Sequence, residues 1–139
     1  MIHYFLTLWL SVGMLSNPTG GELTVSVEGV RTIKGKIYMA VYNRADGFLK
    51  VENAVATKIA PVTGKRVLIR FRNLKPGYYA IATYHDKNSD GKMNKNLVGI
   101  PTEYYGFSRD ARARFSAPSF EAARFYYKGN NATTVIHLK

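Results

Sequence analysis

From Gly21 onward apolar and polar residues alternate with a period of two, the pattern of strands that bury one face. Leu23, Val25 and Val27 fall on one side of the first such strand, and Thr24, Ser26 and Glu28 on the other. Ile37, Met39 and Val41 repeat the pattern between Lys36 and Tyr42, with Gly29 to Gly35 as the connection. Residues Ala54 to Ile59, bounded by Gly47 and Pro61, read as a weaker third strand that belongs at a sheet edge. Val67, Ile69 and Phe71 point one way while Arg66, Arg70 and Arg72 point the other. A slip of one residue would bury those arginines, so the register is fixed. Tyr78 to Tyr84 is apolar on both faces, which places it at the centre of a sheet, and Thr133 to Leu138 is the last strand. No window carries a sustained helical stripe. The expected fold is therefore an all-β, antiparallel two-sheet sandwich of about seven strands.

Two stretches interrupt the alternation. In Asn73 to Tyr79, Pro76 and Gly77 make a turn, Leu74 plugs the core and Tyr79 is placed to cap the corner. This is either the tyrosine corner of sandwich domains or an ordinary Pro-Gly turn. From His85 to Ser119 alternation stops for about 35 residues, far beyond a hairpin connection. Tyr104, Tyr105, Phe107, Phe115 and Phe120 among its glycines and charges point to an ordered, packed loop, with Phe107 and Phe115 laid onto the sheet. Ser108 is expected to cap a short helix running to Arg114.

The 139 residues suit one domain with one core. Residues 1–20 are set apart from it: Ile2 to Leu15 is almost wholly apolar, yet shorter than the roughly 20 residues a spanning helix needs. It reads as a signal-peptide core, with the domain at residues 21–139 exported to the periplasm or beyond and no transmembrane span in the mature chain. The absence of cysteine excludes disulfides, thiolate zinc sites and cysteine nucleophiles. A net charge of +11 favours polyanions, an anionic surface or polysaccharide among them. Export argues against nucleic acid as the partner of the Arg66, Arg70 and Arg72 face.

The sharpest local chemistry lies in DKNSDGKMNKN, Asp86 to Asn96. Oxygen donors fall at loop positions one, three and five (Asp86, Asn88, Asp90), Gly91 permits the tight turn, Lys92 offers its carbonyl, and Asn94 follows at nine. Calcium is the candidate cofactor. Leu97 stands where the full pattern has a bidentate Glu, so Glu103 would have to fold back to complete the shell. With three lysines nearby the site would be weak, of order 10⁻⁴ to 10⁻³ M. The competing reading is a metal-free turn whose Asx side chains cap their own backbone.

The stretch GYYAIATYHDKNSDGKMNKNLVGIPTEYYGFSRDARARFSAPSFEAARF closely resembles the shared core of a bacterial exported family, domain of unknown function 2141. Its hallmarks HDxNxDGK, GIPxExYGFS and PSFExA stand here at His85, Gly99 and Pro118. The resemblance implies an immunoglobulin-like or transthyretin-like sandwich and no activity. It directs attention to His85, Asp86, Asn88, Asp90, Asn96, Glu103, Tyr105, Phe107, Arg112 and Phe115. With Tyr104, the aromatic and arginine members of this set could form a recognition surface.

No catalytic spacing is complete. Ser108, His85 and Asp86 supply the residue types of a triad, but there is no Gly-x-Ser-x-Gly elbow, and neighbouring strand residues face opposite ways. A non-enzymatic binding or envelope-associated module is the leading expectation. The alternative is an enzyme using Glu103, His85 and Arg112 from the 85–119 loop.

Overall fold

The computed structural model describes residues 20–88 and 104–139, which form eight strands and one short helix. The strands are β1 (Glu22–Glu28), β2 (Lys36–Tyr42), β3 (Ala56–Pro61), β4 (Val67–Arg72), β5 (Gly77–Asp86), β6 (Tyr105–Phe107), β7 (Phe125–Tyr127) and β8 (Ala132–His137). Helix α1 spans Phe120–Ala123. One sheet has the order β4-β1-β8 and the other β3-β2-β5-β6, with β7 also paired to β5. The fold is the expected all-β sandwich, with eight strands rather than about seven and one departure from the antiparallel pattern: β1 and β8 pair in parallel. The third strand begins two residues later than the alternation suggests, and it does lie at an edge.

Alternation places the core. Leu23, Val25 and Val27 of β1, Val67, Ile69 and Phe71 of β4, and Ile136 of β8 face Ile37, Met39 and Val41 of β2 and Tyr79 and Ile81 of β5. Strand β5 is central and buried on both faces. Its far side, with Ala80, joins Tyr42, Phe107, Phe120 and Ala123 in a second, smaller cluster. Helix α1 covers that patch, which is why β5 alone lacks a polar face. The corner forms as well: Tyr79 Oη donates to the Lys75 carbonyl at 2.6 Å. Burial, and then the nearby Tyr127, push the Tyr79 hydroxyl above its ordinary pKa.

The sandwich is stitched along one side and open along the other. Strand β6 pairs with β5, while Tyr105 and Lys139 exchange backbone hydrogen bonds of 3.3 and 3.0 Å beside β8. The approach requires Gly106, because a Cβ there would sit 2.6 Å from Ile136 Cγ2 and 2.9 Å from the His137 carbonyl. On the opposite side β3 and β4 are both edge strands. Between them lies an open cleft of about 510 Å³, lined by Glu22, Ala56, Thr57, Lys58, Arg70, Phe71 and Arg72. Lys58 points inward from β3, donates to the Arg70 carbonyl and lies 5.3 Å from the Phe71 ring centre. An inward charge on an edge strand discourages pairing with a foreign strand. The arginine face of β4 is partly neutralised from β1: Arg66 pairs with Glu28, and Arg70 and Arg72 share Glu22.

Three expectations for the long connection are corrected. His85 and Asp86 are the last residues of β5, and a further strand, β6, follows Tyr104. No helix starts at Ser108. Residues Ser108–Asp110 form a single 3-10 turn in which Arg109 and Asp110 have φ of 58° and 50°, so the chain cannot wind on. The capping serine is Ser119, whose hydroxyl accepts the Ala122 N–H at 3.1 Å at the start of α1. Phe115, expected against the sheet, is 92% exposed; the space under the loop is already filled by Phe107 and Phe120.

Candidate functional site

The residues singled out by sequence converge in part on one end of the sandwich, where the β1–β2 connection meets the end of β5. His85 is fully buried on the inner face of β5, and its Nε2 lies 2.6 Å from the Lys34 carbonyl. A carbonyl only accepts, so Nε2 carries the proton. Among the described residues its Nδ1 is buried without a hydrogen-bond partner. Gly35 presses against the same strand end: a Cβ there would fall 2.0 Å from the Asp86 carbonyl oxygen. His85 thus pins the β1–β2 connection to β5. Asp86 is also fully buried, and Asn88 lies exposed in the turn that follows.

Tyr104 returns the chain to this end, its carbonyl accepting the His85 backbone N–H at 2.9 Å. Two cations attend its half-buried ring. The Arg31 guanidinium is 4.5 Å from the ring centre and the Lys87 ammonium 5.2 Å. Each gains from the aromatic quadrupole, but together they are like charges gathered on one ring, an arrangement that an anion would relieve.

The neighbouring residues do structural work. Arg112 lies 4.8 Å over the Tyr105 ring, and its Nη2 donates to the Tyr105 carbonyl at 2.8 Å and the His137 carbonyl at 3.4 Å. Tyr105 packs edge-on against Phe107, which is buried in the smaller cluster. Phe107 is therefore a core residue. The expected metal-loop residues Asp90, Lys92 and Asn94, with Asn96 and Glu103, lie outside the described residues. Among the described residues no three His, Asp or Glu side chains gather around a metal-sized point, and no helix is long and apolar enough to cross a membrane.

Sequence reasoning missed a second polar constellation. His137 Nδ1 lies 2.8 Å from Asp110 Oδ2, His137 Nε2 lies 3.4 Å from Glu28 Oε2, and Glu28 Oε1 reaches Arg66 at 3.0 Å. Burial alone would raise the Asp110 pKa, but the backbone and ring hydrogen bonds from His137, its charge and that of Lys139 outweigh it and hold the carboxyl below its ordinary value. Both imidazole nitrogens face carboxylates, so this array is a clasp between β1, β8 and the Ser108 turn and offers no hydroxyl to activate. Only its hydrophilic strand-end position could have hinted at it.

One family model matches the chain, over residues 25–135: an uncharacterised protein conserved in bacteria, DUF2141. No curated protein and no solved structure matches it.

Proposed function

The chain belongs to the DUF2141 family of uncharacterised bacterial proteins, and with that as premise we propose that it is an exported, non-catalytic binding module of the cell envelope. Its partner is an anionic polymer, such as an acidic polysaccharide, met at the Tyr104 end of the sandwich. The observation that carries this reading is the placement of Arg31 and Lys87 on the one ring of Tyr104. A carboxylate reaching both cations would pair with them and relieve their mutual repulsion. A chain carrying +11 approaches such a polymer under long-range attraction. Export rests on the apolar run Ile2 to Leu15.

The enzyme alternative draws less support. His85 is buried and Arg112 is held by backbone carbonyls, so neither presents a free reactive group to a substrate. Calcium remains part of the proposal through the ligand spacing from Asp86 to Asn94, as a stiffener of the binding end. It would raise stability as RT ln(1 + [L]/Kd), a gain confined to millimolar ion for so weak a site.

The test is titration with a polyuronate and with a neutral glucan of similar length. Polyuronate should bind with strong salt dependence, and a combined Arg31→Gln and Lys87→Gln variant should lose most of the affinity. Equal binding of the neutral glucan, or an unaffected double variant, would overturn the anionic reading. Thermal melting with calcium and with chelator at matched ionic strength checks the ion separately.

A further inference from the structure

The connection from Ser108 to α1 carries an exposed aromatic tip on a fixed root. At the root Asp110 Oδ1 accepts the His137 backbone N–H at 2.9 Å, while Arg112 is tied to the Tyr105 carbonyl at 2.8 Å. Arg109 and Asp110 hold left-handed backbone, which non-glycine residues keep only where their surroundings over-determine it. At the far root Pro118 and Phe120 are buried and Ser119 caps α1. Between the two roots Ala113 to Ala117 are all exposed.

Phe115 stands out even among exposed apolar residues. It is 92% exposed, against 65% for Val51, the next highest large hydrophobic among the described residues. Its ring contact is with the Arg114 guanidinium, 5.5 Å from the ring centre. Among the described residues neither Arg109 nor Arg114 has a carboxylate partner. A phenyl ring held in water, with Arg114 against it and Arg109 at the root of the same loop, and flanked by the short side chains of Ala113, Ser116 and Ala117, does nothing for the folded core.

We propose that the Arg109–Ser116 loop is an interfacial anchor that seats the Phe115 ring at the headgroup boundary of an anionic bilayer while Arg109 and Arg114 engage lipid phosphates. A Phe ring on an interfacial segment buries at the boundary between headgroups and acyl chains, and guanidinium forks match phosphate oxygens. The net charge of +11 draws the whole chain to the same surface. A pocket on a protein could also take the ring, but it would need carboxylates placed for two guanidiniums, whereas an anionic bilayer supplies both environments at once. The proposal stands apart from what the Tyr104 end binds. One ring and two cations give reversible attachment, weaker than that of a single lipid chain.

The experiment is co-sedimentation with vesicles of phosphatidylcholine alone and of phosphatidylcholine with phosphatidylglycerol. All variants share the same amino-terminal segment, so its own lipid affinity cancels in the comparison. The parent protein should favour the anionic vesicles, and Phe115→Ser should weaken that binding about tenfold with unchanged melting. Phe115→Trp should restore it, with a blue-shifted emission over the parent signal in anionic vesicles. Arg109→Gln with Arg114→Gln should cut the preference for anionic over neutral lipid by roughly tenfold or more, the remaining net positive charge keeping the rest. Unchanged partitioning of Phe115→Ser would overturn the anchor. So would an anionic preference that Arg109→Gln with Arg114→Gln leaves unchanged, or a Phe115-dependent soluble protein partner without vesicle binding.

Discussion

The Ser108 hydroxyl accepts the backbone N–H of Ile81 at 2.9 Å in the gap between the two short strands that share one edge of β5. Strand β6 covers Ala82 to Tyr84 and β7 covers Gly77 to Tyr79, so Ile81 has no strand partner on that side. The same hydroxyl donates to the Ala123 carbonyl at 2.6 Å, joining the end of α1 to the sheet. Ser108 is fully buried. Ser108→Ala would strand one donor and one acceptor out of reach of water. It should cost about 2–4 kcal/mol, read as a lower denaturant midpoint. A midpoint equal to that of the parent would mean that water replaces the hydroxyl.

Asp110 gives the fold an acid limb. Its folded pKa lies below the usual value of about 3.9, so its contribution is present above that pH and is lost as pH falls through the folded pKa. The side chains of Asp110 and His137 are 39% and 49% exposed, so screening keeps the effect small and salt should shrink it further. Asp110→Asn retains an acceptor for the His137 N–H and should flatten the stability profile in that acid range. An unchanged slope in urea midpoints against pH would remove the clasp from the stability account.

Tyr79 contributes a limb of opposite sign. Its folded pKa is raised, so the stability it lends is present below about pH 10 and is lost as pH rises through the raised value. Tyr79→Phe loses the bond to the Lys75 carbonyl and should cost about 1–2 kcal/mol at neutral pH. The same variant should show a shallower alkaline decline, measurable by urea titration at several pH values.

Much of this fold is legible in the sequence, and the boundary has a physical cause. Strands β1, β2, β4, β5 and β8 alternate long enough for periodicity to speak, and the Pro76-Gly77 turn fixes where Tyr79 sits. Strands β6 and β7 have three residues each, too few to display a period, and exist because β5 offers them an edge. Ser108 resembles a helix cap locally, whereas its real partners lie 27 and 15 residues away. At the site, sequence singles out Tyr104 but not Arg31, whose approach depends on how the β1–β2 connection folds back.

Lys58 guards the open side. Lys58→Val would remove an inward charge from the exposed β3 edge and uncover the cleft beside Phe71. Self-association should rise with concentration in sedimentation velocity, while the parent stays at its own state over the same range. Identical profiles would assign edge protection to other residues.

Strand β1 lies between β4, which runs against it, and β8, which runs parallel to it. Among the described residues the first strand is therefore flanked on one side by the last, with more than a hundred residues between Leu23 and its partner Ala132. During synthesis the smaller sheet has nothing to close it until Ala132–His137 emerges, and the apolar side of β1 has only part of its cover. Pairings so distant along the chain also form slowly. Closure of the smaller sheet is accordingly a late event in the folding of this domain, whereas β2, β3 and β5 of the larger sheet lie closer together along the chain and can pair first.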